Sequence, residues 1–203
     1  MSTVTYRGVL TTNNPEKSLL KNHKYSAARN NKGRITVRHQ GGGHKKLFRD
    51  VDFVYDKKDI PATIKTVEYD PYRTGFIGLV YYKDGEKRYV LLPKDMKVGD
   101  QFLVSENAEL KPGNRMPLKK IPVGTFVYNV EIKVGGGAKL CRSAGNFCQV
   151  VANDAGYVHL SLPSTEIRKV PENAWACVGS VSNEEKQLEV IGKAGRSRWL
   201  GVR

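Results

Sequence analysis

No stretch of this chain sustains apolar periodicity at helical spacing over three turns; short period-two runs cut by turn residues recur instead. The clearest is FIGLVYYKDGEKRYVLL, residues 76–92, where two β-rich runs flank Asp84-Gly85, the composition of a type I′ hairpin turn. Upstream, a strand signal begins at Arg34-Ile35-Thr36-Val37. LFRDVDFVYD, residues 47–56, then sets Val51, Phe53 and Tyr55 against Asp50, Asp52 and Val54. ATIKTVEYD sets Ile64, Thr66 and Glu68 against Thr63, Lys65, Val67 and Tyr69, and DPYRTG reads as a turn closed off by Pro71. Downstream, TFVYNVEIK predicts a strand with Phe126, Tyr128, Val130 and Ile132 on one face. FCQVVANDAGYVHLSL predicts a hairpin around residues 153–156, and KQLEVIG a last strand. Short strands with frequent turns build small barrels or sandwiches, and 203 residues suffice for two. The apolar pattern lapses in SENAELKPGN, residues 105–114, so the boundary is expected there.

Charge is distributed unevenly. Residues 1–49 carry eleven Lys/Arg against one acid, Glu16; residues 50–190 carry nineteen of each sign; residues 191–203 carry four Lys/Arg and no acid. A neutral body between cationic ends is the pattern of a folded module with basic arms for nucleic acid. In the arms Arg interleaves with Gly, Asn, His and Ile, unlike a plain Lys tail kept for solubility. Three consecutive glycines interrupt RITVRHQGGGHKK, residues 34–46. Glycine is costly to order and is worth that cost where backbone bends sharply or comes very close to a neighbour. A glycine turn also presents N–H groups that cradle anions. Candidate RNA contacts in this segment are Arg34, Arg38, His39, Gly41, Gly42, Gly43, His44, Lys45, Lys46 and Arg49. GGGAKLCRSAGN, residues 135–146, adds Lys139, Arg142 and Ser143 beside its glycines. GKAGRSRWLGVR, residues 192–203, adds Lys193, Arg196, Arg198 and Arg203, with Trp199 to stack or pack.

Other chemistry finds little footing. GGGHKKLF lacks the spacing, the Ser/Thr and the helix of a phosphate-binding P-loop, and no G-x-G-x-x-G, H-E-x-x-H or G-x-S-x-G occurs. The spacing of Asp50, Asp52 and Asp56 fits the solvated face of a strand better than a metal site, and His159 lies in an alternating strand. Three cysteines, Cys141, Cys148 and Cys177, with no CxxC argue against a disulfide framework or zinc site; they read as small buried apolar residues in a reducing compartment. No cofactor and no metal is expected. The longest apolar run, Phe76 to Tyr82, is far too short to span a bilayer, and no membrane partner is expected.

In order and at the expected separations, RNNKGRITVRHQGGGHKKLFRDVDF, YKDGEKRYVLLPK, KPGN, IPVGT, NVE, GGGAKLCRSAG and GKAGRSRWLGVR resemble the bacterial and organellar large-subunit ribosomal protein L2 family. The resemblance runs from Arg29 to Arg203 and adds Arg29 to the candidate RNA contacts. It implies an all-β chain: an OB-like barrel over residues 29–108, an SH3-like barrel over 109–190, an N-terminal extension over 1–28, and a basic C-terminal arm starting at 191. It implies a structural ribosomal protein, not an enzyme, bound to large-subunit rRNA and supporting subunit association, tRNA binding and the peptidyl-transferase region. Its expected partners are that rRNA, neighbouring ribosomal proteins and the small subunit. The implied location is a bacterial cytoplasmic ribosome, with a mitochondrial or plastid matrix ribosome as the alternative. A translation factor or RNA chaperone, binding RNA transiently through the same barrels, is the rival reading. Family members carry a further arm with a P-T-V-R-G start and an H-P-H-G-G-G loop, and this sequence stops at Arg203. A truncated record, a split gene whose second polypeptide supplies that arm, and a naturally short form all fit.

Overall fold

Two antiparallel sheets organise the chain in the computed structural model, which describes residues 6, 8–12, 14–23 and 25–203. The first half holds β1 (Leu20–Lys21), β2 (Phe48–Arg49), β3 (Ala62–Glu68), β4 (Ile77–Tyr82), β5 (Lys87–Leu91) and β6 (Gln101–Phe102). β5-β4-β3-β6 make one sheet, and β1 pairs with β2 apart from it. The second half holds β7 (Arg115–Pro117), β8 (Phe126–Tyr128), β9 (Val130–Glu131), β10 (Ala138–Leu140), β11 (Cys148–Asp154), β12 (Tyr157–Ser161), β13 (Ile167–Pro171) and β14 (Trp175–Val178). Its six-stranded sheet runs β13-β12-β11-β8-β14-β7, with β9 and β10 paired beside it. A single short α-helix, α1 (Ala194–Trp199), follows. The architecture is all-β, an OB-like barrel followed by an SH3-like barrel.

Strand alternation becomes burial. β12 buries Val158 and Leu160 against Met116, Val127, Val150 and Val170 inside the second barrel. β3 buries Ala62 and Ile64, then shifts register between Ile64 and Thr66 and buries Val67 and Glu68 instead. That bulge breaks the simple two-faced pattern read from ATIKTVEYD. The first barrel's core includes Tyr128, Trp175, Cys177 and Val181 from the second half, so the barrels share an interior.

A buried polar joint lies in that shared interior. Arg115 donates to Glu131 Oε1 at 2.8 Å and to the carbonyl of Asn129 at 2.7 Å, and its guanidinium lies 4.6 Å from the Tyr55 ring centre. Asn129 Nδ2 donates to Tyr55 Oη at 2.9 Å. Burial pushes the Tyr55 hydroxyl well above its ordinary pKa.

Several expectations fail for local reasons. The 76–92 hairpin forms, but only Gly85 of its turn takes positive φ, and Gly85 N donates to Tyr82 O at 2.9 Å. The type I′ turn lies instead at Ala155-Gly156, both at positive φ, between β11 and β12. Residues 34–37 form no strand; Asn30 Oδ1 accepts from the amides of Lys32 and Arg34 and holds a tight loop. The 47–56 strand stops early because Asp52 Oδ1 accepts from the amides of Val54 and Tyr55. Asp52 and Asp56 therefore clamp Arg88 and do not line a strand face, while Asp50 pairs with Lys21. TFVYNVEIK is split at Asn129 (φ +50), which leaves Phe126 46% exposed and buries Val127. KQLEVIG is no strand: residues 184–188 make a 3-10 turn, and Leu188, Val190 and Ile191 remain exposed. Cys141 and Cys148 are joined as a disulfide, their Cα atoms 6.4 Å apart, because the chain turns back between them. The small buried apolar reading describes Cys177, a free and buried thiol.

Candidate nucleic-acid interface

The C-terminal segment docks on the first glycine run through backbone hydrogen bonds. Gly41 N donates to Gly201 O, His44 N to Trp199 O and Arg203 N to His39 O, each at 3.0 Å, and Gln40 bridges Val202. A Cβ on Gly43 (φ +85) would lie 2.9 Å from the Trp199 carbonyl oxygen, so the close approach that needs glycine there is to the chain's own tail. Gly42 (φ +64) is different: a Cβ there would meet nothing within 4 Å, and its backbone is open to an outside partner. The His44 and Trp199 rings lie 5.9 Å apart at the same junction. The N-terminal and C-terminal basic segments are thus one surface.

Around that junction, Arg29, Arg34, Arg38, His39, His44 and Lys45 are exposed, as are Lys193, Arg198 and Arg203. Lys46 and Arg196 are half-buried, and Gly41 is buried under the tail. Arg29 is partly occupied, donating to Gly33 O at 2.8 Å, and Arg196 donates to Ile191 O at 3.3 Å. Arg49 departs from the surface role expected of it: it is 7% exposed in β2, and its only side-chain hydrogen bond among the described residues runs to Leu47 O.

The second glycine loop is positioned by the joint between the barrels. Glu131 Oε2 accepts from the Gly135 amide at 3.1 Å. The Ala138 amide donates to Phe53 O at 2.7 Å, and a Cβ on Gly137 would lie 2.9 Å from that same oxygen. Lys139, Arg142 and Ser143 are exposed, and the Arg142 guanidinium lies 4.8 Å from the Phe53 ring centre. Arg73 approaches the same ring at 5.2 Å.

The DPYRTG segment links the two basic loops, a role its turn composition did not signal. Tyr69 and Pro71 line a cavity beside Lys46 and Trp199, and Lys46 Nζ lies 5.8 Å from the Tyr72 ring centre. At the other end, Thr74 Oγ1 accepts from the Ala144 amide of the second loop. Tyr69 and Tyr72, three residues apart in the loop with Arg73 next to the second, were the available clue.

The candidate cations have no internal carboxylate partner among the described residues, whereas part of the body's cations do. Among the described residues, Lys57, Arg73, Arg88, Lys94 and Arg115 all pair with carboxylates. Among the described residues no salt bridge forms at Arg29, Arg34, Arg38, Lys45, Lys46, Arg49, Lys139, Arg142, Lys193, Arg196, Arg198 or Arg203. Body cations such as Lys65, Lys83, Lys133 and Lys169 also lack a carboxylate partner among the described residues; what distinguishes the arms is that residues 29–49 and 193–203 hold no acid and meet as one surface, suited to an external polyanion.

Two family models match the chain. One, Ribosomal Proteins L2, RNA binding N-terminal domain, matches residues 16–105; the other, Ribosomal Proteins L2, C-terminal domain, matches residues 111–203.

Proposed function

Because this chain belongs to the ribosomal protein L2 family, we propose that the surface joining residues 29–49 to 193–203, together with the loop at 135–143, is its seat on large-subunit rRNA. The family membership makes the chain a structural, rRNA-binding component of the large ribosomal subunit, and ribosomes are where it acts. The observation that carries the residue-level reading is that two acid-free basic segments, residues 29–49 and 193–203, are joined by backbone hydrogen bonds into one cationic surface. Arg34, Arg38, Lys45, Lys139 and Arg142 contact phosphates, and the open backbone at Gly42 lets a sugar or phosphate come close. The domain limits at 28, 108 and 190 belong to this reading, as do support of subunit joining, of tRNA and of the peptidyl-transferase region. The chemistry of that region belongs to RNA, and the protein's part is to hold RNA in place. Neighbouring ribosomal proteins and the small subunit are its further partners, in a bacterial or organellar ribosome.

High-salt co-sedimentation tests the reading. The chain should remain with large subunits through a wash that removes transient RNA binders; release into the supernatant with those binders would overturn it.

A further inference from the structure

A cavity of about 600 Å³ lies beside the glycine junction, with Arg49 on its lining. Arg49 is 7% exposed, its Nε has no hydrogen-bond partner, and no carboxylate among the described residues lies within salt-bridge distance. A buried guanidinium left this way is unfavourable unless an anion reaches it. Lys45, Lys46 and Arg196 line the same cavity, which makes its lining strongly cationic. Glu189, also on the lining, is engaged by Lys186. Besides His44, the rest of the lining includes an aromatic and apolar part: Trp199 and Leu200, 55% and 57% exposed, and Tyr69.

We propose that this cavity takes a single unpaired nucleotide of rRNA, its phosphate on Arg49 and its base against Trp199. The proposal rests on the rRNA-binding reading above and names the ligand of one part of that surface. One ligand then supplies both needs of the site, an anion and a π-face. A base inside a duplex cannot offer its face to Trp199, because its neighbours in the stack cover it; an unstacked base can. The volume lies within the range of small-ligand sites. A purely apolar peptide would fill the walls and leave Arg49 without an anion.

Photo-crosslinking tests this directly. Leu200 is replaced by p-benzoylphenylalanine, the protein is bound to large-subunit rRNA, and crosslinks are mapped after irradiation. The expected result is a crosslink to one unpaired nucleotide, reduced about tenfold by Trp199→Ala, whose exposed site spares the fold. Arg49→Gln should reduce it similarly, while Lys169→Ala, on β13 and outside both the cavity and the basic loops, should leave the crosslink unchanged. Crosslinks to base-paired nucleotides or to a protein, or none while filter binding shows rRNA retained, would overturn the cavity assignment. Failure of the unsubstituted chain to bind rRNA at all would instead overturn the reading beneath it, and this proposal with it.

Discussion

The amide of His44 donates to the carbonyl of Trp199 at 3.0 Å, tying the glycine run near one end of the chain to the basic segment at the other. That contact turns two charge clusters, distant in sequence, into one surface. It also divides the labour of the three glycines: Gly43 admits the tail, and Gly42 stays open.

Gly43→Ala should therefore undock the tail. It forces a side chain to positive φ, costing about 1–2 kcal/mol, and meets a backbone oxygen that cannot easily yield. Hydrogen exchange should show lost protection at the Gly41, His44 and Arg203 amides. Gly42→Asn, a residue that tolerates φ near +64 and has no protein atom in its way, should keep that protection yet weaken rRNA binding. Wild-type affinity of Gly42→Asn would contradict the open-backbone argument.

How much of this was legible follows the range of the interactions. The 76–92 and 148–161 hairpins read directly, because alternation and turn residues act within a few positions. KQLEVIG misled because period-two patterning does not say whether a partner strand is present, and Val190 has none. The basic arms were visible as charge. The docking of residues 199–203 on 39–44 was not, since its hydrogen bonds are made by backbone that carries no sequence signature. Arg49 read as one more surface cation because the surroundings of β2 come from distant parts of the chain: Leu20 pairs with Arg49, Tyr72 packs on Phe48, and Trp199 lines the same cavity as Arg49.

Glu131 should be a stability hot spot. It pairs with Arg115 at side-chain exposures of 4% and 1%. Glu131→Ala leaves a buried guanidinium without its acid and should destabilise by about 3–5 kcal/mol in urea unfolding. Glu109→Ala removes the partner of Lys111 where both side chains are 72% exposed, and should change stability by less than about 1 kcal/mol.

Reducing agent should loosen the second barrel. The Cys141–Cys148 bridge closes a short loop that carries Arg142 and Ser143. Loop-closure entropy for this span corresponds to about 2–3 kcal/mol. Thermal unfolding with and without dithiothreitol should differ accordingly, and Cys148→Ala should abolish the difference.

The most direct test of the central claim, that the joined arms form a phosphate-binding surface, is rRNA affinity measured against salt concentration. A combined Arg34→Ala, Arg38→Ala, Lys45→Ala and Arg203→Ala variant removes four exposed cations that have no carboxylate partner. If each meets a phosphate, the slope of log affinity against log salt should fall by about three to four units. A slope equal to wild type would show that these residues do not touch the RNA backbone and would contradict the account.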